Sequence, residues 1–176
     1  LQNTPQTLLA AASFAAHKHR DQRRKGAEAS PYINHPLAVA NLLANEAGVE
    51  DLTTLVAALL HDTIEDTATT SEEIAARFGA EVAAVVMEVT DDKRLAKDER
   101  KRLQVVHAAD LSQEAKLVKL ADKICNLRDM AGAPPAGWSL ERRREYFEWA
   151  RQVVDGLRPA SQRLATLFDA AYAQQP

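Results

Sequence analysis

The stretch LVAALLHDTIEDT, residues 55–67, ends an apolar run in His61 and Asp62 and then adds Glu65 and Asp66. Three carboxylates and an imidazole behind such a run need a counter-charge, because a charge taken out of water either neutralises or finds a partner. Asp62 and Asp66 are four residues apart, as are His61 and Glu65, so on a helix all four crowd one sector of two turns. No basic residue stands between them. A divalent cation would supply the missing charge, and imidazole with carboxylate suits Mn²⁺, Fe²⁺ or Zn²⁺.

An adjacent His-Asp pair offers two ligands, so the rest must arrive from elsewhere. His35, in YINHP, stands at the start of a helix, and Asp122, in KLADKICN, is an acid within an otherwise apolar helix. Together His35, His61, Asp62 and Asp122 would form a two-His, two-Asp site with room for water. The absence of thiolate leans the set toward Mn²⁺ over Zn²⁺. Spacing alone leaves a structural alternative open, in which His35 caps a helix beside Pro36 and Asp122 pairs with Lys119 or Lys123.

The elements that must position these groups read as helices throughout, with no Asn-Gly or Asp-Gly hairpin signal. The clearest spans Asp51 to Asp66, where Leu52, Leu55, Val56, Leu59 and Leu60 make one stripe and Asp51 caps the start. Before it, Pro36 marks a first turn and Gly48 a stop. After it, Thr70 and Glu73 have capping-box spacing and open a short helix ending at Gly79. Val82, Val85, Val86 and Val89 form the next stripe, and Lys97 to Ala108 reads as a charged surface helix. Leu117, Leu120, Ala121 and Ile124 give the apolar face of a helix that stops at Gly132, before Pro134-Pro135. Ser139 to Leu157 and Ala160 to Ala173 close the chain, separated by Pro159. The fold class expected is all-α, one compact helical bundle over residues 1–176 with the metal site at its centre.

Chain-wide properties bound the function. With 176 residues, 46% apolar and 27% charged, the chain has ordinary soluble-globular composition. Its formal charge of −3 argues against an overall polyanion-binding protein while allowing a local basic pocket, and no nucleic-acid partner is expected. The lone Cys125 forms no internal disulfide and reads as a small core residue. No stretch approaches the ~20 apolar residues of a membrane span, and the opening LQNTPQTLLAAASFAAHKHR lacks a basic leader, so a cytoplasmic location is expected. Nothing in the sequence sets an oligomeric state.

HDTIEDT, the upstream YINHP and the downstream LADKICNLRD together resemble the HD-domain hydrolases of the Rel/SpoT group. The likeness runs from AAHKHRDQRRKG through EVTDDK and ERKRLQVVHA to EYFEWARQVV, and is closest to the stand-alone small alarmone hydrolases, including the metazoan SpoT homologue. It implies Mn²⁺-dependent removal of the 3′-pyrophosphate from ppGpp and pppGpp, with one ion held by His35, His61, Asp62 and Asp122. It further implies a catalytic pair in Glu65 and Asp66 and substrate contacts in Arg24 and Lys25. Tyr32 and Asn126 match pocket positions, and Lys97, Arg142 and Tyr146 match the further phosphate- or ribose-contacting residues of the small form. The chain lacks room for the synthetase and regulatory domains of the long enzymes, so alarmone synthesis is not expected. Its segment between Lys25 and Tyr32 is also two residues longer than theirs.

The reaction so implied is displacement at phosphorus by water, with Glu65 and Asp66 positioning the water or moving protons. A polyanionic nucleotide would be repelled by an acidic site, so basic residues from HRDQRRKG, KRLAKDERKR and the arginines at 142–144 must converge on it. The alternatives are NADPH 2′-phosphatase activity, a nucleotidase acting on monophosphates, and an inactive nucleotide-sensing module. His17, His19 and His107 stay outside the metal set. Trp138, Phe147 and Trp149 read as packing residues.

Overall fold

In the computed structural model, residues 5–26 and 28–176 are described; residues 1–4, part of the segment read for a leader, lie outside them. The described residues contain no β-strand and form α1 (Pro5–Lys18), α2 (Asn34–Asn41), α3 (Leu52–Leu60), α4 (Thr63–Asp66), α5 (Ser71–Phe78), α6 (Ala80–Val89), α7 (Lys97–His107), α8 (Gln113–Gly132), α9 (Leu140–Asp155) and α10 (Gln162–Tyr172). Among them, no helix is long and apolar enough to cross a membrane.

Helix α3 lies at the centre because it is apolar almost all round: of its nine residues only Thr53 is not fully buried. It packs against α1, α2, α6 and α8. Asp51 caps it as expected, accepting from the Thr54 amide at 2.7 Å and the Thr54 hydroxyl at 2.6 Å. The continuous helix expected to Asp66 is not formed. The chain breaks at His61-Asp62, and α4 adds a single turn beyond. Two side chains compete for the backbone carbonyls there, His61 Nδ1 donating to Ala58 O at 2.8 Å and Thr63 Oγ1 to Leu60 O at 2.7 Å. The break turns the two ligand candidates inward at the end of a rigid rod.

Helix α8, 20 residues long, is the second pillar, contacted by α2, α3, α6, α9 and α10. Its Leu120, Ala121 and Ile124 are buried as expected, whereas Leu117 is only half-buried. The helix also buries Lys119 and Lys123, because one of its faces is turned to the site rather than to the core. Thr70 caps α5 through the Glu73 amide at 3.2 Å, and Gly79, at φ 95°, links α5 to α6. Helix α7 buries none of its residues completely, as its charged sequence predicts.

Helix α1 is an addition to the expected elements. Its buried residues are Ala11, Phe14 and Ala15, a stripe too alanine-rich for its periodicity to stand out. Between α1 and α2 the chain is pinned by isolated bridges pairing Arg23 with Pro31 and Gly26 with Pro135. The second bridge closes the loop onto the segment after α8 and walls the site.

Candidate metal centre and nucleotide groove

His35 is the second residue of α2, His61 and Asp62 follow α3, and Asp122 sits midway along α8. His35, His61 and Asp62 each offer a ligand atom within 4.8 Å of the others. Asp122 Oδ1 lies 3.0 Å from His35 Nε2 and 3.8 Å from His61 Nε2. Three separated segments thus bring the four expected groups together.

Their chemistry suits a divalent cation. With its Nδ1 proton given to Ala58 O, a neutral His61 presents an Nε2 lone pair that is buried, has no hydrogen-bond partner and stands 3.1 Å from Asp62 Oδ2. Two lone pairs that close need a proton or a metal between them. Burial works to lower the His61 pKa, but Asp62 and then Asp122 outweigh it and raise it to about 9. Burial likewise opposes ionisation of both acids. His61 nevertheless holds Asp62 below the ordinary carboxylate range, and Lys123 and His35 do the same for Asp122.

Outer partners orient these groups. Tyr32 Oη donates to Asp62 Oδ2 at 2.7 Å, and Asn126 Nδ2 donates to Asp122 Oδ1 at 2.6 Å. Lys123 Nζ reaches Asp122 Oδ2 at 3.2 Å, so Asp122 faces the histidines with one oxygen and pairs with a lysine through the other. Asn126 Oδ1 accepts from Arg24 at 3.0 Å, which commits both ends of the amide; Arg24 also pairs with Asp129 at 2.6 Å and lies over the Tyr32 ring. His19 supports this side, with Nδ1 2.6 Å from Gln22 Oε1 and its ring 4.9 Å from Tyr32.

Of the two acids that follow, only Glu65 crowds the sector of His61 and Asp62 as expected, and Asp66 does not. Glu65 shares a cavity of about 150 Å³ with His35, His61, Asp62 and Asp122. Asp66 opens instead on a cavity of about 650 Å³. The acids also find cations from other segments: Asp66 is ion-paired with Lys93, and Glu65 Oε1 is 3.8 Å from Arg100. Burial leads the causes that raise the Glu65 pKa.

The larger cavity shares Arg24, Tyr32 and Asn126 with the metal corner. A third cavity, of about 440 Å³, shares Glu65 with that corner and carries Lys97 and Arg142. Lys25, Trp138 and Tyr146 border both larger cavities, so all the expected substrate-contacting residues stand around one connected site. Phe147 is a core residue as read, but Trp138 and Trp149 are not simply packing residues. Both are half-buried and line cavity wall, with Arg142 4.1 Å above Trp138 and Lys123 4.4 Å from Trp149. Arginine above an indole is a cation–π contact. Asp91, Arg100 and Gln104, outside the expected set, also line the site. The i, i+3 spacing of Tyr146 and Trp149 beside Arg142 was the available signal for the aromatic wall. Cys125 is buried, and burial pushes its thiol up to about 12, consistent with an inert core residue.

An HD-domain family match spans residues 11–148, and the chain belongs to the HD-domain family. Within that class the chain is similar to hydrolases of animals. The chain is 56% identical over 168 residues to a Xenopus tropicalis protein named guanosine-3′,5′-bis(diphosphate) 3′-pyrophosphohydrolase MESH1, covering 96% of this chain and 94% of that one. The human protein of the same name is likewise 56% identical, with the same coverage. A solved structure, described as a metazoan orthologue of SpoT that hydrolyses ppGpp and plays a role in starvation responses, superposes with a TM-score of 0.94. That match has 47% identity and covers 97% of this chain and 96% of the other.

Proposed function

We propose that this protein is a divalent-metal-dependent phosphohydrolase that removes the 3′-pyrophosphate from guanosine tetra- and pentaphosphate, yielding GDP or GTP and pyrophosphate. The observation that carries the reading is the convergence of His35, His61, Asp62 and Asp122 at the inner end of a basic, aromatic groove. The activity named for relatives at 56% identity over nearly the whole chain supports it.

The four ligands would hold Mn²⁺, to which a nitrogen and oxygen set without thiolate is suited. Bound there, the ion would supply Lewis acidity, acidifying water and offsetting charge on phosphoryl oxygens. The chain's own residues perform the remaining work. Tyr32 and Asn126 keep the two aspartates aimed inward. Glu65, on the wall of the metal corner, takes the proton from water attacking the phosphorus next to the ribose. The bond from that phosphorus to O3′ breaks, and the departing oxygen receives a proton. Asp66, on the nucleotide side and ion-paired with Lys93, is a carboxylate that fits a relay passing the proton taken by Glu65 on to that oxygen. Arg24, Lys25, Lys97 and Arg142 neutralise the phosphates, and Trp138 and Tyr146 offer flat surfaces to purine and ribose.

The test is product analysis. Mn²⁺-loaded protein is given ppGpp, NADPH or a nucleoside monophosphate separately, and phosphate and pyrophosphate are quantified. Pyrophosphate from ppGpp is the expected result. Phosphate from NADPH alone would replace the reading with a 2′-phosphatase, and no product from any substrate would replace it with a sensing module.

A further inference from the structure

Helix α7 has no fully buried residue, yet Arg100 and Gln104, one turn apart, both reach the site's wall. Gln104 Nε2 donates to Asp91 Oδ2 at 2.6 Å. Asp91 begins the turn after Thr90, in the connection from α6 to α7, and its backbone N–H donates to Glu65 Oε2 at 3.1 Å. The other Glu65 oxygen is 3.8 Å from Arg100 Nη1. From beneath, the buried Lys119 ties the root of the same connection by donating to Val89 O at 3.3 Å.

Glu65 needs such external support. It stands on a one-turn helix and carries a long side chain with several rotatable bonds, so its own segment does little to fix its carboxylate. The Asp91 side chain is a poor neighbour, since its charge repels that of Glu65. With Gln104 engaging the Asp91 carboxylate, the connection presents a backbone donor to Glu65. Without Gln104, the Asp91 carboxylate loses its donor and can swing toward Glu65.

We propose that Gln104 is a positioning residue for hydrolysis, gripping Asp91 so that the Asp91 backbone N–H holds Glu65 on the wall of the metal corner. The role rests on the reading of Glu65 as the group that activates water. It is exerted from the wall of that corner opposite the histidines, by a surface helix that contributes none of the four metal-ligand candidates.

The charged groups facing Glu65 are Asp62 and Asp66 on its own segment, Asp91 on the connection, Arg100 on α7 and Lys119 on α8. The Asp91 N–H favours ionised Glu65, so losing it moves the acid limb of the rate profile to higher pH. The experiment measures pyrophosphate release from ppGpp by Mn²⁺-loaded protein carrying Gln104→Leu, Asp91→Ala, Asp91→Asn or Glu65→Gln, and by the Gln104→Leu/Glu65→Gln double variant. Gln104→Leu should lower kcat by roughly 10- to 100-fold, the loss expected when a reacting group is misplaced by about an ångström. KM and bound metal should change little. Asp91→Asn, which keeps an acceptor for Gln104, should lose less than Asp91→Ala, and Gln104→Leu should have no further effect once Glu65 is glutamine. Wild-type kcat and acid limb in Gln104→Leu, beside an impaired Glu65→Gln, overturns the positioning role alone. A multiplicative loss in the double variant also overturns it, since Gln104 then acts through something else. Full activity in Glu65→Gln removes the reading of Glu65 and the positioning role together.

Discussion

The two ends of the site are built differently. The metal corner is small, about 150 Å³, and its histidines are buried at the ends of helices that belong to the core. The groove beside it is several times larger, and its Lys25, Lys97 and Arg142 are exposed on a loop and on the rims of α7 and α9. Each charged group in the corner is fixed by at least one partner from another segment, whereas the groove's cations rest on aromatic faces or stand in water. The corner is preorganised for chemistry, and the groove is adaptable for binding. That division predicts which kinetic constant each substitution should move.

The largest effect belongs to the corner. His61→Ala or Asp62→Ala should lose both bound metal and turnover, read by metal analysis beside the assay. Metal retained at full occupancy would place the ion elsewhere. Next comes Glu65→Gln, which should keep metal while lowering kcat by about 10²- to 10⁴-fold, the range for a general base. Its pH profile sharpens the point. Burial raises the Glu65 pKa, so on acidification the carboxylate is lost at a higher pH than for an ordinary glutamate. The acid limb of kcat/KM should therefore lie above the usual glutamate range and be missing from the variant's residual activity.

Smaller effects belong to the groove. Arg142→Ala or Lys97→Ala should raise KM by about tenfold, equivalent to 1.4 kcal/mol, while kcat stays within about twofold. The KM of these variants should depend less on salt than that of the unaltered protein. A kcat loss at constant KM would break the division between corner and groove. Least of all, Gly156→Ala should touch neither constant. A Cβ there would lie 2.8 Å from the Ala108 Cβ, so the variant should lose about 1–3 kcal/mol of stability through overpacking, read as a lower Tm.

The same contrast governs what could be read from the sequence. Asp51 and Thr70 announce their helices because capping is local chemistry, and the all-α fold follows from periodicity along most of the chain. The four metal-ligand candidates were legible because an acid or imidazole among apolar residues is conspicuous. The break at His61-Asp62 was not, since it depends on side chains taking Ala58 and Leu60 carbonyls within an otherwise ideal helical pattern. Glu65 and Asp66, neighbours about 100° apart on one helical turn, are separated further by long-range contacts to Asp91, Arg100 and Lys93. Trp138 and Trp149 read as packing residues alone because a partly covered indole and a fully covered one look alike in sequence. Helix α1 was missed because alanine gives a weak stripe.

The central claim is that one metal ion sits where the three segments meet. Crystals grown with Mn²⁺ and measured at wavelengths on either side of the manganese absorption edge test it directly. The account predicts a single anomalous peak per chain, ligated by His35, His61, Asp62 and Asp122. A peak on the acidic wall formed by Glu65 and Asp91, with the histidines unligated, would contradict it.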